Sequence, residues 1–280
     1  MSRHIIYNGD LIKNDALFCA TDAVLQGVNR LNFTWLIVSS ALPFYQDEFR
    51  KIEKYANYKG IKLPAWMTAN TFAQDIQHLF QMNRIYQGGL LKMLLFVEAP
   101  RQEAKYLMTA ESLNRQKFHL NSEGLKVDIF RKNRLFSGSA EVFDVGVSAT
   151  ETSAINSMHQ NGLNQMVLLN EMNHVARFVG ANFMLLDHDT VYTPAIKEGA
   201  IEDVMREKVI EACVRLNIKV FDDCIVHADD LKTADEIFVI DPVHGLKWVL
   251  GFEDRRFYYK FAPKLHQMLN QLYFGKTNAT

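Results

Sequence analysis

The chain has 280 residues, of which 48% are hydrophobic, so it can bury a sizeable core in one large or two moderate domains. Its 31 basic and 32 acidic residues give a formal charge of -1, which provides no field that would attract nucleic acid or an anionic membrane. Small or neutral partners are therefore favoured.

The cysteine pattern and the apolar runs predict a cytoplasmic protein. Cys19, Cys213 and Cys224 lack CxxC spacing, which argues against a zinc site or a disulfide framework. The amino terminus has no long apolar run after its basic residues, so we expect no signal peptide. No stretch approaches the ~18 consecutive apolar residues that indicate a membrane helix.

The first part of the chain alternates strand and helix patterns, and we predict an amino-terminal α/β subdomain over residues 1–115. Strands are expected where β-branched and aromatic residues cluster, and helices where apolar residues recur at helical spacing. The predicted strands are 4–12, 34–40, 90–97 and 105–113, and the predicted helices are 46–60 and 68–84.

A polar stretch over residues 116–124 is the predicted linker, and residues 125–280 form the predicted carboxy-terminal α/β subdomain. Its strands are expected at 125–130, 165–170, 176–186, 219–226, 235–241 and 246–252, with a turn at 171–174. Helices are expected at 151–160, at about 201–216 after a loop that begins at Tyr192, and at 262–275. The fold class is therefore α+β, or mixed α/β, in two subdomains.

Four segments together resemble the class IV aminotransferases. This family comprises the fold-type IV pyridoxal phosphate enzymes, which include branched-chain and D-amino acid aminotransferases and aminodeoxychorismate lyase. The segments are 161–170, 174–183, 192–206 and 234–246, and a looser match runs through Asn8-Gly9, Pro43-Phe44 and Lys51-Ile52. The resemblance implies a D-amino acid aminotransferase-like fold.

The same resemblance places the lysine that binds the cofactor aldehyde at Asp144, which has no amine. Residues 133–196 contain no lysine, so the nearest candidates are Lys132 and Lys197. Because Lys132 would need an insertion of about a dozen residues to reach the site, it is the weaker interpretation. No catalytic residue is therefore assigned.

The other cofactor positions that the resemblance assigns are also substituted. The glutamate that holds the pyridine nitrogen corresponds to Arg177, a permanent cation. The phosphate-binding positions correspond to Lys51, to Val204-Met205 before Arg206, and to Asp241-Pro242. Lysine can still bind phosphate, whereas aspartate repels it and proline removes an amide donor.

Ordinary structural roles remain open for these residues. Asp144 is also explained as a residue that caps the following helix, together with Ser148 and Thr150. Arg177 could be a solvated strand residue or could contact a buried anion, and Asn182 is interpreted as structural. Four histidines lie in or near predicted loops without the spacing of a metal site, so no metal is predicted: His174, His188, His227 and His244.

Three functional hypotheses follow. The first is a dimeric binding or structural protein that has lost Schiff-base chemistry, with Lys51, Arg134 and Arg177 presenting cations to a small anionic metabolite. The second is a divergent aminotransferase or aminodeoxychorismate lyase that still uses pyridoxal phosphate through Lys132 or a distant lysine. The third is a non-catalytic subunit that pairs with an active relative.

Overall fold

The computed structural model describes residues 3–14, 29–97, 103–113, 115–139, 143 and 148–275. Their contacts divide the chain into two compact units, Met1–Lys117 and Phe118–Ala279. The predicted linker over residues 116–124 includes this division, but the predicted subdomain boundaries stay predictions. Every helix in the described part of the chain is too short or too polar to span a lipid bilayer.

The amino-terminal unit contains a five-stranded antiparallel sheet with the order β2-β1-β5-β4-β3. Buried and less buried side chains alternate along most of strands 88–97 and 104–112, which reflects the two-residue period of a pleated sheet. The strands are β1 (His4–Tyr7), β2 (Asp10–Lys13), β3 (Asn29–Val38), β4 (Gly88–Val97) and β5 (Ala104–Ser112).

The described residues of this unit also form two helices, α1 (Tyr45–Tyr58) and α2 (Ala69–Met82), as predicted. Helix α1 buries Phe49 and Ile52 because apolar residues recur on one face of its sequence. Helix α2 begins at Thr68, whose hydroxyl accepts a hydrogen bond from the amide of Thr71, while the Thr71 hydroxyl accepts one from the amide of Thr68.

The carboxy-terminal unit contains a nine-stranded mixed sheet. The order along its main path is β11-β10-β9-β12-β13-β6-β7-β8, and β14 pairs with β13. The strands are β6 (Leu125–Ile129), β7 (Gln165–Leu169), β8 (Val175–Phe178), β9 (Asn182–Asp187), β10 (Thr190–Pro194), β11 (Lys219–Cys224), β12 (Glu236–Asp241), β13 (Gly245–Phe252) and β14 (Arg255–Arg256).

Among its described residues, this unit has four α-helices and a short 3-10 helix. Its main core lies on the sheet and includes Val167, Phe178, Phe183, Ile237 and Phe252. The helices are α3 (Ala149–Gln160), α4 (Val204–Arg215), α5 (Asp230–Thr233) and α6 (Ala262–Phe274), and the 3-10 helix is Ile196–Glu198.

The structure corrects two strand predictions in this unit. The single strand predicted over 176–186 is two strands, β8 and β9, because the chain turns at Gly180, which has φ 64°. The loop predicted from Tyr192 begins inside a strand, β10, which pairs in parallel with β11. Local sequence could not indicate this partner, since it lies almost thirty residues further along the chain.

Candidate functional site

A loop of the carboxy-terminal unit joins β10 to α4 over residues 195–203, and Asn182 holds its end. The Asn182 side chain is buried at the start of β9. Its Oδ1 accepts a hydrogen bond from the Ile201 amide at 2.8 Å, and its Nδ2 donates to the Ile201 carbonyl at 2.8 Å. The Asn182 side chain therefore gives Ile201 the two hydrogen bonds that a neighbouring strand would otherwise provide, which is a structural role.

Helix α4 starts at Asp203, which is in contact with Asn182. The Asp203 Oδ1 atom accepts a hydrogen bond from the Arg206 amide at 2.6 Å, and its Oδ2 accepts one from Asn182 Nδ2 at 3.0 Å. Aspartate is a preferred residue here because it satisfies a backbone donor that the first helical turn leaves open. The amino-terminal end of α4 thus carries its own anionic group.

Burial raises the pKa of Asp203 to about 7. The hydrogen bond from the Arg206 amide and the charge of Arg206 oppose this rise, while the carboxylates of Asp241 and Glu207 add to it. Asp203 therefore exchanges its proton near neutral pH, close to a second carboxylate.

Arg206 connects α4 to the edge of the sheet. One terminal nitrogen of its guanidinium donates to the Pro194 carbonyl at 3.1 Å and to the Asp222 carbonyl at 2.6 Å. Burial lowers the pKa of Arg206, although nearby carboxylates oppose this effect. The guanidinium therefore donates hydrogen bonds to backbone carbonyls of β10 and β11.

Asp241 ends β12 and organises the turn before β13. Its Oδ1 accepts hydrogen bonds from the amides of Val243 at 2.9 Å and His244 at 2.8 Å, and His244 Nδ1 lies 2.9 Å from the same atom. Burial acts to raise the pKa of Asp241, but the bonds from His244 and the charges of His244 and Lys247 leave it below its usual value. This turn therefore keeps a charged carboxylate.

Arg177 lies in β8 and is completely buried against Glu151 of α3. The Nε atom of Arg177 and Oε1 of Glu151 are 3.2 Å apart, and both side chains are fully inaccessible to solvent. The same Glu151 oxygen accepts a hydrogen bond from the Gly180 amide at 3.0 Å. Of the two roles considered for Arg177, the structure has the buried anion contact, and the anion belongs to the protein.

A further polar cluster lies at the turn between β7 and β8. Glu198 Oε2 accepts a hydrogen bond from Asn170 Nδ2 at 2.8 Å and lies 2.8 Å from His174 Nδ1. The His174 and His227 rings meet edge to face, with centroids 5.1 Å apart. Asn170 Oδ1 also accepts the backbone amides of Met172 and His174, so this cluster fixes the turn.

The residues predicted from the sequence have separate locations. Asp144 lies outside the described residues. Lys51 is half-buried on α1 in the amino-terminal unit, and Met205 is completely buried in the first turn of α4. Lys132 and Lys197, which border the lysine-free segment, are both exposed.

One group in the described part of the chain has the spacing of metal ligands. It consists of Asp187, His188 and Asp235, which are all exposed. His188 Nδ1 lies 2.8 Å from Asp187 Oδ1, and the His188 amide donates to Asp235. The spacing of residues in the sequence did not indicate this group, because Asp235 belongs to a different connection between strands.

Sequence reasoning missed Glu151, Glu198 and Asp203 as parts of this network. Only Asp203 had a usable local signal, since Asp precedes the apolar pattern of α4 as a capping residue would. The partners of Glu151 and Glu198 are distant in sequence, and only the folded chain brings them into contact.

Solved structures of similar shape define the architectural class as that of the fold-type IV aminotransferases. A branched-chain aminotransferase from Thermoproteus uzoniensis with norvaline aligns with a TM-score of 0.85 and 14% identity over 99% of this chain and 96% of that chain. An Escherichia coli branched-chain amino acid aminotransferase gives 0.83 and 12% over 99% and 96%. A putative 4-amino-4-deoxychorismate lyase from Legionella pneumophila gives 0.77 and 19% over 89% and 92%.

The family model for amino-transferase class IV matches residues 34–249, and the chain belongs to this family. A probable branched-chain-amino-acid aminotransferase of Aquifex aeolicus (strain VF5) is 22% identical over 150 residues, which are 54% of this chain. The match spans about half of that relative, 48% of its length.

In the carboxy-terminal unit, charges and hydrogen bonds oppose pyridoxal phosphate at the positions that the sequence resemblance assigns to the cofactor. Arg177 stands where the resemblance expects a glutamate and is paired with Glu151, so a protonated pyridine nitrogen would lack its carboxylate partner at this position. Beside the Val204 and Met205 positions, Asp203 occupies the Arg206 amide, and Asp241 occupies the turn amides. A phosphate dianion there would meet two carboxyl groups.

Proposed function

We propose that this chain has the class IV aminotransferase fold without Schiff-base chemistry, and that it acts as a dimeric binding or structural protein in the cytoplasm. The observation that carries the proposal is the buried pair of Arg177 and Glu151 at 3.2 Å. This pair places a neutralised cation where the family resemblance expects a carboxylate for the cofactor ring.

The phosphate positions support the same proposal. Asp241 accepts the amides of Val243 and His244, which leaves that turn with a negative charge instead of donors for an anion. Asp203 adds a second carboxyl group at the start of α4. Binding of a phosphate dianion would require desolvation next to like charge, which is unfavourable.

The substituted lysine position is the third argument. Asp144 cannot condense with an aldehyde, and Lys132 and Lys197 are exposed at the two ends of the lysine-free segment. The anionic metabolite stays a prediction, and Arg177 is a weaker candidate to contact it because Glu151 already pairs with its charge.

The test is to add pyridoxal phosphate to the purified chain and to record its absorbance before and after borohydride reduction. We expect no aldimine band above that of free cofactor with buffer amines and no reduced adduct on a specific lysine in peptide mass spectrometry. The Thermoproteus uzoniensis branched-chain aminotransferase serves as the positive control. A stoichiometric adduct at one lysine would refute the proposal.

The enzymatic alternative predicts that such an adduct forms at Lys132 or at a lysine distant in sequence. If Lys132 is the residue, Lys132→Ala removes both the colour and the transaminase activity. Light scattering after size-exclusion chromatography tests the dimer separately, and we expect a mass of two chains. A monomer that forms a complex only with an active relative would instead favour the hypothesis of a non-catalytic subunit.

The free thiols of Cys213 and Cys224 support the proposed cytoplasmic location.

A further inference from the structure

A cleft with a volume of about 400 Å³ opens beside the edge strands of the carboxy-terminal sheet. Strands β9, β10 and β11 and the short helix α5 supply its walls. This volume lies within the range of roughly 300 to 1,000 Å³ that is usual for small-molecule sites. None of the residues discussed for the cofactor lines this cleft.

The floor of the cleft is apolar and belongs to the core. Leu185, Val226 and Ala234 are each buried and contribute to the main hydrophobic cluster. Tyr192 is half-buried beside them, and its ring is stacked on Phe221 with a centroid distance of 5.5 Å. The stacking holds the Tyr192 ring in place, so the floor and this wall form a fixed surface for an apolar group.

The rim of the cleft is acidic. Asp187 and Asp230 contribute carboxylates, and among the described residues that line the cleft none is Lys, Arg or His. Because Asp187 Oδ1 already lies 2.8 Å from His188 Nδ1, Asp230 is the main charge of the rim. Asp230 Oδ2 accepts a hydrogen bond from the His227 amide at 2.7 Å, which fixes the carboxylate, while Oδ1 has no hydrogen-bond partner among the described residues. Cation binding would therefore not require this side chain to be reordered.

The lysine on the same helix, α5, is already paired with other carboxylates. Lys232 Nζ lies 3.0 Å from a carboxylate oxygen of Glu253 and 3.6 Å from one of Asp229. In the part of the chain that the structure describes, no cation pairs with Asp230, so its charge can act on a ligand. A cleft with an apolar floor and a carboxylate at its rim suits a molecule that has an apolar body and one positive charge.

We propose that this cleft binds a small protonated primary amine, with its apolar body against Leu185, Val226 and Tyr192 and its ammonium group at Asp230 and Asp187. The proposal does not depend on the loss of cofactor chemistry, because the residues involved are different.

The test uses three probes of similar size in calorimetry at pH 8 and low salt: 2-phenylethylamine, 2-phenylethanol and 3-phenylpropanoate. We expect the amine to bind most tightly and the carboxylate least. Asp230→Asn keeps an acceptor for the His227 amide but removes the charge, and it should weaken amine binding about threefold to tenfold while leaving the alcohol unchanged. Asp187→Asn should act in the same direction.

Asp229→Asn is the matched control, because Asp229 is adjacent in sequence but does not line the cleft. It should leave amine binding unchanged. Cys224 lines the cleft and reports the location of binding: saturating amine should slow its alkylation, while buried Cys213 should be unaffected. The proposal is overturned if the amine does not bind, if the alcohol or carboxylate binds as tightly, or if Cys224 is not protected.

Discussion

Arg177 and Glu151 form an ion pair in which both side chains are fully buried, with 3.2 Å between Nε and Oε1. Strand β8 supplies the arginine and the first turn of α3 supplies the glutamate. Transfer of both charges from water is costly, so each charge depends on its partner and on hydrogen bonds such as the one from the Gly180 amide to Glu151. The pair locks α3 to the sheet where the family resemblance expects a single carboxylate.

The first prediction concerns this pair. Arg177→Met leaves Glu151 buried without its cation, and we expect the free energy of unfolding to fall by about 3–5 kcal/mol in urea denaturation. Glu151→Met should also destabilise, and the double variant should lose clearly less than the sum of the two. Arg131→Met, which breaks an exposed pair with Glu253, should cost less than about 1 kcal/mol. Additive losses would contradict the compensation.

The second prediction concerns Asn182. Asn182→Ala leaves the amide and the carbonyl of Ile201 without their side-chain partner, so we expect a loss of about 2–4 kcal/mol in the free energy of unfolding. Asn156→Ala, on the exposed face of α3, is the control and should change stability by less than about 0.5 kcal/mol. Equal effects of the two substitutions would exclude the proposed role of Asn182 in holding the loop.

The third prediction concerns pH. The pKa of Asp203 is about 7 in the folded chain and 3.8 as its ordinary value, so the folded state binds one more proton between these limits. The free energy of unfolding should therefore fall as pH rises from about 4 to 7. We expect a fall of about 2 kcal/mol, which is less than the pKa difference alone implies, because the side chain is partly exposed. The low pKa of Asp241 acts in a different window, since its stabilisation is lost only under more acidic conditions.

Asp203→Ser tests this assignment, because serine retains an acceptor for the Arg206 amide but has no charge. Unfolding in urea at a series of pH values should show a flatter profile between pH 4 and 7 than in the natural chain. Asp229→Ser removes a carboxylate that is 91% exposed and should leave the profile unchanged. An unchanged slope in Asp203→Ser would assign the titration to another group.

The fourth prediction concerns the lysine position. Asp144→Lys alone should not yield a reducible cofactor adduct at position 144, because Arg177 and Asp241 still oppose the pyridine ring and the phosphate. Borohydride reduction followed by peptide mass spectrometry measures the adduct. Its formation in this single variant would show that the other substitutions do not prevent cofactor binding.

The fifth prediction concerns Gly245, which has φ 70° in the turn after Asp241. A Cβ atom there would lie 2.6 Å from Cγ of Phe118, so Gly245→Ala should destabilise the unit by about 2–4 kcal/mol. Gly162 has a similar φ of 62°, but a Cβ atom would meet nothing within 4 Å. Gly162→Ala should therefore cost only about 1 kcal/mol in thermal or urea unfolding, and equal losses would remove the steric explanation.

Local patterns were sufficient for most elements of the fold. Helical spacing of Phe49 and Ile52 predicted α1, and the run from Leu90 to Val97 predicted most of β4, because each signal depends on burial of one face of one segment. The turn at Gly180 was missed because apolar residues continue on both sides of it. The order of motifs from residue 161 to 246 was specific enough to indicate the family.

The sequence by itself determined the family and the lysine-free segment, since these are properties of residue identity and order. Only the tertiary structure decided that Glu151 neutralises Arg177, that Asn182 holds Ile201, and that Asp203 has a raised pKa. Charge compensation and burial depend on which distant segments come into contact, and no local pattern contains that information.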